Sequence, residues 1–354
     1  MKKSAMIFGL AATASSAVWA QSSVVLYGIV DAGVRYASYS GPMPSNDSSL
    51  WQLAQGGMAN SRLGVNVNED VNAGLKVIAN LEHRFNSDTG AQSAAEFWRQ
   101  SWVGLQSNQY GRLTIGRQYN LMFDAATSSY ASFNYSPYIG FSPEFGLSMG
   151  TRQDNMLKYT ADMGGLRGSI QLSAGEGNAP NKSRGGHLRY AAAELAVAGA
   201  YLEVFDTAGK RVKGLTMGGS WTAGPLYVVA AWARNEFDQG SLLGELFTRG
   251  LSGPNVLAPS ANDVKLRSMV SGGLTYQFTP QFNLGGHYWR STQTHQLTAT
   301  TSKGDFFAAV ADYAFSPRTD LYAEFDFTDF SGKVSFANAA TRRYGTTLGL
   351  RHRF

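Results

Sequence analysis

The chain has 354 residues and a formal net charge of +5, from 30 basic and 25 acidic residues, too weak an excess to point to a nucleic-acid partner. It contains no cysteine, which excludes disulfides and thiolate metal sites. Aromatic residues at 12% and charged residues at only 16%, with 40 glycines, exclude a disordered chain, and no apolar run after Ala20 approaches the ~18 residues of a membrane helix.

The first twenty residues read as a separate unit. Lys2 and Lys3 make a basic start, Ala5 to Ala14 are mostly apolar, and Val18 and Ala20 put small residues at −3 and −1 of a cleavage point. The apolar run is shorter than the ~20 residues of a spanning helix. This layout predicts a secretory signal peptide over 1–20, cleaved after Ala20, and one domain over 21–354. An exported chain without disulfides needs another source of cohesion, and a large hydrogen-bonded sheet supplies one.

Beyond Ala20 the recurring pattern is alternation of period two, the signature of strands with one apolar and one polar face. Taken in chain order, about sixteen strand-like segments are predicted. They run near 23–36, 60–68, 74–86, 96–106, 111–118, 153–162, 166–175 and 184–192, then 195–204, 212–222, 225–237, 264–278, 281–291, 304–316, 319–330 and 341–354. In the second, Leu63, Val65 and Val67 alternate with Arg62, Gly64 and Asn66. In the third, Leu75, Val77, Ala79 and Leu81 alternate with Lys76, Asn80, Glu82 and Arg84. Near the end, Leu321, Ala323, Phe325 and Phe327 alternate with Tyr322, Glu324, Asp326 and Thr328. Parity is blurred over 195–237. Tight links such as Met163-Gly164-Gly165 and Ala223-Gly224-Pro225 broadly take turns with long polar ones, over 37–59, 87–95, 119–152, 238–263, 292–303 and 331–340.

One apolar and one polar face per strand fits either a soluble sandwich with a dry core or a membrane barrel with apolar residues outward and a wet interior. Isolated Arg, Lys and Glu on the polar face suit water rather than a dry core. Aromatics gather near strand ends, as in Tyr36, Tyr276, Phe278, Tyr313, Phe315 and Phe354, which suits interfacial girdles. The chain stops in mid-strand on "LGLRHRF" (348–354), as expected if the last strand must pair with the first to leave no open edge.

Four stretches carry a resemblance: "SSVVLYGIVDAGV" (22–34), "SRLGVNVNEDVNAGLKVIANLEHRF" (61–85), "WRQSWVGLQSNQYGRLTIGRQYN" (98–120) and the terminal Phe354. In this order and spacing the sequence resembles the general, trimeric Gram-negative porins. The resemblance implies an all-β, sixteen-stranded antiparallel transmembrane β-barrel, three per trimer, with a long third loop folded into the lumen. It implies passive diffusion of small hydrophilic solutes and inorganic ions across the outer membrane. It also implies that Phe354 is read by the β-barrel assembly machinery, and that Arg62, Arg99 and Arg152 match the family's constriction arginines.

The third long loop is then 119–152, whose acids are Asp124 and Glu144, the latter in "PEFG" (143–146). Its many aromatics, Tyr119, Phe123 and Tyr130 among them, are suited to pin it against the wall. Period two independently turns Arg62 inward, whereas Arg99 shares parity with Val103 and Leu105 and requires a bulge. Arg84, Arg117 and Lys158 complete the basic set. Basic residues facing two acids predict a mild anion preference. Alternatives are a substrate-selective channel of the same fold and a barrel enzyme. The five histidines show no HExxH spacing, no GxSxG elbow occurs, and no cofactor motif or metal-ligand set is present, so neither an enzyme, a cofactor nor a metal is expected. The inward pair Glu324 and Asp326, with Asp329 nearby, reads as wall charge rather than a divalent-cation site.

Overall fold

The computed structural model describes residues 22–40, 48–54, 56–72, 74–131, 147–176, 182–241, 264–332 and 340–354. The proposed signal peptide lies outside them.

The strands in chain order are β1 (Ser23–Ser40), β2 (Ser48–Ala54), β3 (Arg62–Asn72), β4 (Leu75–Arg84), β5 (Trp98–Ser107) and β6 (Gly111–Tyr119). A helix, α1 (Leu121–Ser129), follows. Then come β7 (Arg152–Met163), β8 (Leu166–Ser173), β9 (Lys182–Ala191), β10 (Leu195–Phe205), β11 (Arg211–Ala223) and β12 (Leu226–Phe237). The last five are β13 (Val264–Gln277), β14 (Phe282–His295), β15 (Thr301–Ser316), β16 (Thr319–Ser331) and β17 (Arg342–Arg353). From β3 onward each strand pairs antiparallel with the next.

The sheet closes on itself. β17 pairs with β1 in the register Ile29↔Arg353 to Ser40↔Arg342. Closure runs to the final residue, since Gly28 N–H donates to the Phe354 carbonyl at 3.0 Å and Phe354 N–H to the Gly28 carbonyl at 3.1 Å. Unpaired backbone groups in hydrocarbon cost several kcal/mol each, so closure is what lets the sheet live in lipid.

The wall has sixteen positions although seventeen strands are described. β1 carries β3 opposite residues 23–29 and β2 opposite residues 33–39, so β2 and β3 share one position. The sequence reading placed 48–54 within a loop. It is a strand because the outer half of β1 otherwise lacks a partner. Between the two, the chain leaves the wall and turns inward. There the Asp31 carboxylate accepts N–H groups from Met58 at 3.1 Å and Ala59 at 2.7 Å, and the Tyr322 hydroxyl at 2.6 Å.

Orientation follows the predicted parity. Leu348 is 59% exposed and Leu350 51%, while Arg351 between β1 and β16 is 1% exposed. Phe325 is exposed on the outside and its neighbour Glu324 is enclosed on the inside. Short turns gather at the end that holds Phe354. Gly164, with φ +63°, and Gly224, with φ +55°, each occupy the first central position of a two-residue hairpin, where glycine is favoured. Long connections occupy the other end. Among the described residues no helix is long and apolar enough to cross a membrane.

Candidate functional site: an arginine cluster on the inner wall

Even-numbered residues of β3 and β4 point inward, and their register sets Arg62 beside Arg84, Gly64 beside Glu82 and Asn66 beside Asn80. Two like charges side by side are unfavourable, so the pair needs a counter-charge. Glu82 supplies it. Arg99 Nη1 lies 2.6 Å from Glu82 Oε1, and Arg62 Nη1 lies 4.0 Å from Oε2. The Tyr27 hydroxyl donates to Glu82 Oε2 at 3.1 Å. Tyr27 reaches it by lying across Gly64, where any Cβ would collide with its ring.

Arg99 comes inward through a bulge. Glu82 pairs with Gln100 but His83 pairs with Trp98, leaving Arg99 as the extra residue. Arg152 reaches the same place from the end of the third loop. Its guanidinium lies 4.9 Å from the centre of the Tyr119 ring, and that of Arg99 lies 5.5 Å from it, so two cations rest on one aromatic ring. Tyr119 stacks in turn on Phe123 at 4.1 Å. The cluster therefore brings Arg62 and Arg99 onto one carboxylate, Glu82, with Arg84 beside Arg62 and Arg152 sharing the Tyr119 ring with Arg99. Among the described residues, the Nε–H of each of the four arginines has no protein acceptor.

Arg117 and Lys158 are placed differently. Arg117 is paired with Asp154, donates to the Trp98 carbonyl at 3.0 Å and lies 3.9 Å from Glu96. Lys158 Nζ lies 2.7 Å from Asp124 Oδ2 and donates to the Tyr119 carbonyl at 2.8 Å. Asp124 is thus bound to a wall lysine rather than set opposite the arginines. Glu144 lies outside the described residues. Tyr27, Tyr119 and Glu82 are the partners that hold the cluster. For Glu82 the signal was present, because it shares Arg84's parity.

The described flanks of the third loop pack on the inner wall. Asn120 caps α1, its side chain accepting Phe123 N–H at 2.9 Å and donating to the Ser148 carbonyl at 2.7 Å. Leu121 N–H donates to Gln171 Oε1 on β8 at 2.9 Å. The apolar side of the helix, with Leu121, Met122 and Ala125, packs against Ala200, Leu202 and Val212. Inward glycines make room: a Cβ at Gly214 would strike Met122 and Met149, and one at Gly218 would strike Tyr130. The blurred parity over 195–237 has its cause here, since the inner face of β10 and β11 is apolar where α1 covers it.

On the opposite wall Asp326 sits between Arg35 at 2.6 Å and Arg343 at 3.3 Å, and Asp320 between Arg351 at 2.9 Å and Arg353 at 2.7 Å. Asp329 faces outward onto Arg342 at 3.2 Å. Two guanidiniums on Asp326 leave little of its charge for a divalent cation. His287 stacks on Trp289 at 4.0 Å.

Comparison with known proteins points the same way as the geometry. A family model described as Gram-negative porin matches residues 7–333. An outer membrane porin protein of Bordetella pertussis is 27% identical over the full length of both chains. Outer membrane porin protein 32 of Delftia acidovorans is 32% identical over 54% of this chain and 56% of its own length. The fold matches that of an anion-selective porin from Comamonas acidovorans with a TM-score of 0.74 at 21% identity, covering 94% of this chain and 100% of that one. It also matches the trimer form of OmpT, an outer membrane protein of Vibrio cholerae, with a TM-score of 0.70 at 17% identity, covering 94% and 99%.

Proposed function

The chain belongs to the Gram-negative porin family and forms an outer-membrane channel for passive diffusion, and we propose that this channel favours anions through the cluster of Arg62, Arg84, Arg99 and Arg152. The observation that carries the reading is the imbalance at one level of the wall, where Arg62, Arg84, Arg99 and Arg152 stand together and the Glu82 carboxylate is shared by Arg99 and Arg62. Fixed charge in a narrow aqueous passage sorts ions by sign, and charges held in a partly desolvated site act more strongly than in bulk water. Arg117 and Lys158 contribute less, because each is neutralised locally. Asp124 fastens α1 to the wall, and the described flanks of the loop, 119–131 and 147–152, take up space inside the bore on that side.

The test is the reversal potential of single channels in a potassium chloride gradient. The wild type is expected to reverse on the chloride side. Arg62→Ala with Arg99→Ala removes two of the four guanidiniums and moves the reversal potential towards zero. A cation-directed potential in the wild type, or an unchanged potential in the double variant, rejects the proposal.

Three further readings rest on the same family premise. Residues 1–20 act as a cleaved signal. Phe354 is recognised by the assembly machinery, a role supported by its place on the outer face beside Gly28. The protein assembles as a homotrimer, supported by the aliphatic outer face of β3–β5, where Leu63, Leu81, Val103 and Leu105 are exposed without charged neighbours between them.

A further inference from the structure

On its short-turn side the arginine cluster borders an uncharged stretch of inner wall. The row of Gly64, Glu82 and Gln100 is followed by the row of Asn66, Asn80 and Trp102, and then by Asn68, Ile78 and Gly104. The next charges inward on these strands are Asp70 and Lys76, which pair with each other at 3.2 Å. Asn66, Gln100 and Trp102 are half-buried, and Asn80 is buried. On β6 the neighbour of Trp102 is Gly116, so no further side chain stands beside the indole there.

Hydrogen bonds fix the two half-buried amides in the same sense. Asn80 Nδ2 donates to Asn66 Oδ1 at 2.7 Å and to the Tyr27 hydroxyl at 2.8 Å. Trp102 Nε1 donates to Gln100 Oε1 at 3.4 Å. Each amide oxygen is thereby engaged, and each NH2 group, a donor of two protons, has no acceptor among the described residues. Asn66 and Trp102 stand two strands apart, about 10 Å, and Gln100 lies one row, about 7 Å, closer to the arginines. A single sugar ring with its hydroxyl groups bridges such a span.

We propose that this stretch of wall, together with the arginine cluster, binds an anionic monosaccharide in transit, a hexose that carries a carboxylate or a phosphate. The proposal rests on the anion-favouring reading above. The anionic group lies on the guanidiniums, whose planar forks match carboxylate and phosphate oxygens. The sugar ring lays its C–H face on the Trp102 indole, and its hydroxyl oxygens accept from the Asn66 and Gln100 amides. The chemistry of the wall selects this class. A neutral sugar offers nothing to the guanidiniums. A small anion such as acetate offers nothing to the indole and the amides. A site of a few placed polar groups beside an aromatic ring is the usual form of a small-molecule site.

The experiment reads single-channel current of the purified full-length protein in a planar bilayer, with D-glucuronate, glucose 6-phosphate, glucose or acetate added one at a time. One or both anionic sugars should reduce the current saturably, and which of them does so tells carboxylate from phosphate. Glucose and acetate should act about tenfold more weakly or not at all. Trp102→Ala should weaken the block about tenfold, and Trp102→Phe should retain it. Asn66→Leu, which removes the amide, should weaken it as well. Folding of every variant is checked by heat-modifiable migration, and if Trp102→Ala fails to fold, Asn66→Leu decides alone. No saturable block by either anionic sugar, equal block by glucose or acetate, or wild-type block in the folded Trp102→Ala and Asn66→Leu variants overturns the proposal. The wild-type reversal potential separates the two readings. A chloride-directed potential without block rejects this site alone, whereas a cation-directed potential rejects the arginine reading on which it rests.

Discussion

Glu82 shows how much one residue settles within the cluster. It accepts from Arg99 and Tyr27 and balances Arg62, so it orients the cations while cancelling one of them. Glu82→Gln keeps a hydrogen-bonding side chain of the same size and raises the local charge by one unit. The prediction is a stronger anion preference, read as a shift of the reversal potential further towards that of chloride. The same change weakens charge-assisted hydrogen bonds worth about 1.5–3 kcal/mol, seen as a lower unfolding temperature of the isolated barrel. A shift in the cation direction would show that Glu82 acts chiefly by holding the arginines in place. Arg99 makes a related point. Its parity in β5 turns it towards lipid, and only the bulge opposite Glu82 and His83 brings it inside.

Among the elements, α1 lies inside the barrel without being part of its wall. It is held by apolar contact with β10 and β11, by the Asn120 cap and by the Lys158–Asp124 pair. Lys158→Met cuts the charged tether and frees the Asp124 carboxylate. The prediction is a noisier open-channel current with higher mean conductance and a reduced anion preference, measured on single channels in a planar bilayer. Unchanged noise and selectivity would mean that the apolar contacts alone hold the helix. The element also accounts for a gap in sequence reading. Ala198, Ala200, Leu202 and Val204 face inward yet are apolar, because a helix and not water lies against them. With both faces apolar, β10 has no period-two contrast. The strand at 48–54 was missed for another reason: it exists to cover the edge of β1, a need visible only once pairing is known.

At the scale of the molecule, closure of the sheet depends on the last residue. Deleting Phe354 removes the two backbone hydrogen bonds to Gly28 and shortens the seam at its membrane-facing end. Unpaired groups in hydrocarbon cost several kcal/mol each, so the prediction is a lower yield of folded, heat-modifiable barrel after refolding into detergent or lipid. Phe354→Ala keeps the backbone bonds and should refold in vitro nearly as well as the wild type. A defect of Phe354→Ala confined to cells would then separate recognition of the ring during assembly from stability of the seam.

The class of fold, every described strand but β2 and, outside 195–237, the way the strands face were legible from the order of residues. Side-chain direction in a strand alternates with period two, and lipid on one side and water on the other select opposite chemistries at each step, so the pattern is written locally. Arg62 and Arg84 could be placed for the same reason. Long-range pairing was needed to make Glu82 the anchor of the arginines, to bring Arg99 in by a bulge, to commit Asp124 to Lys158, and to set β2 along the edge of β1. Each of these depends on which distant strand lies alongside, and a local alternation of polar and apolar residues carries no record of its neighbour across the sheet.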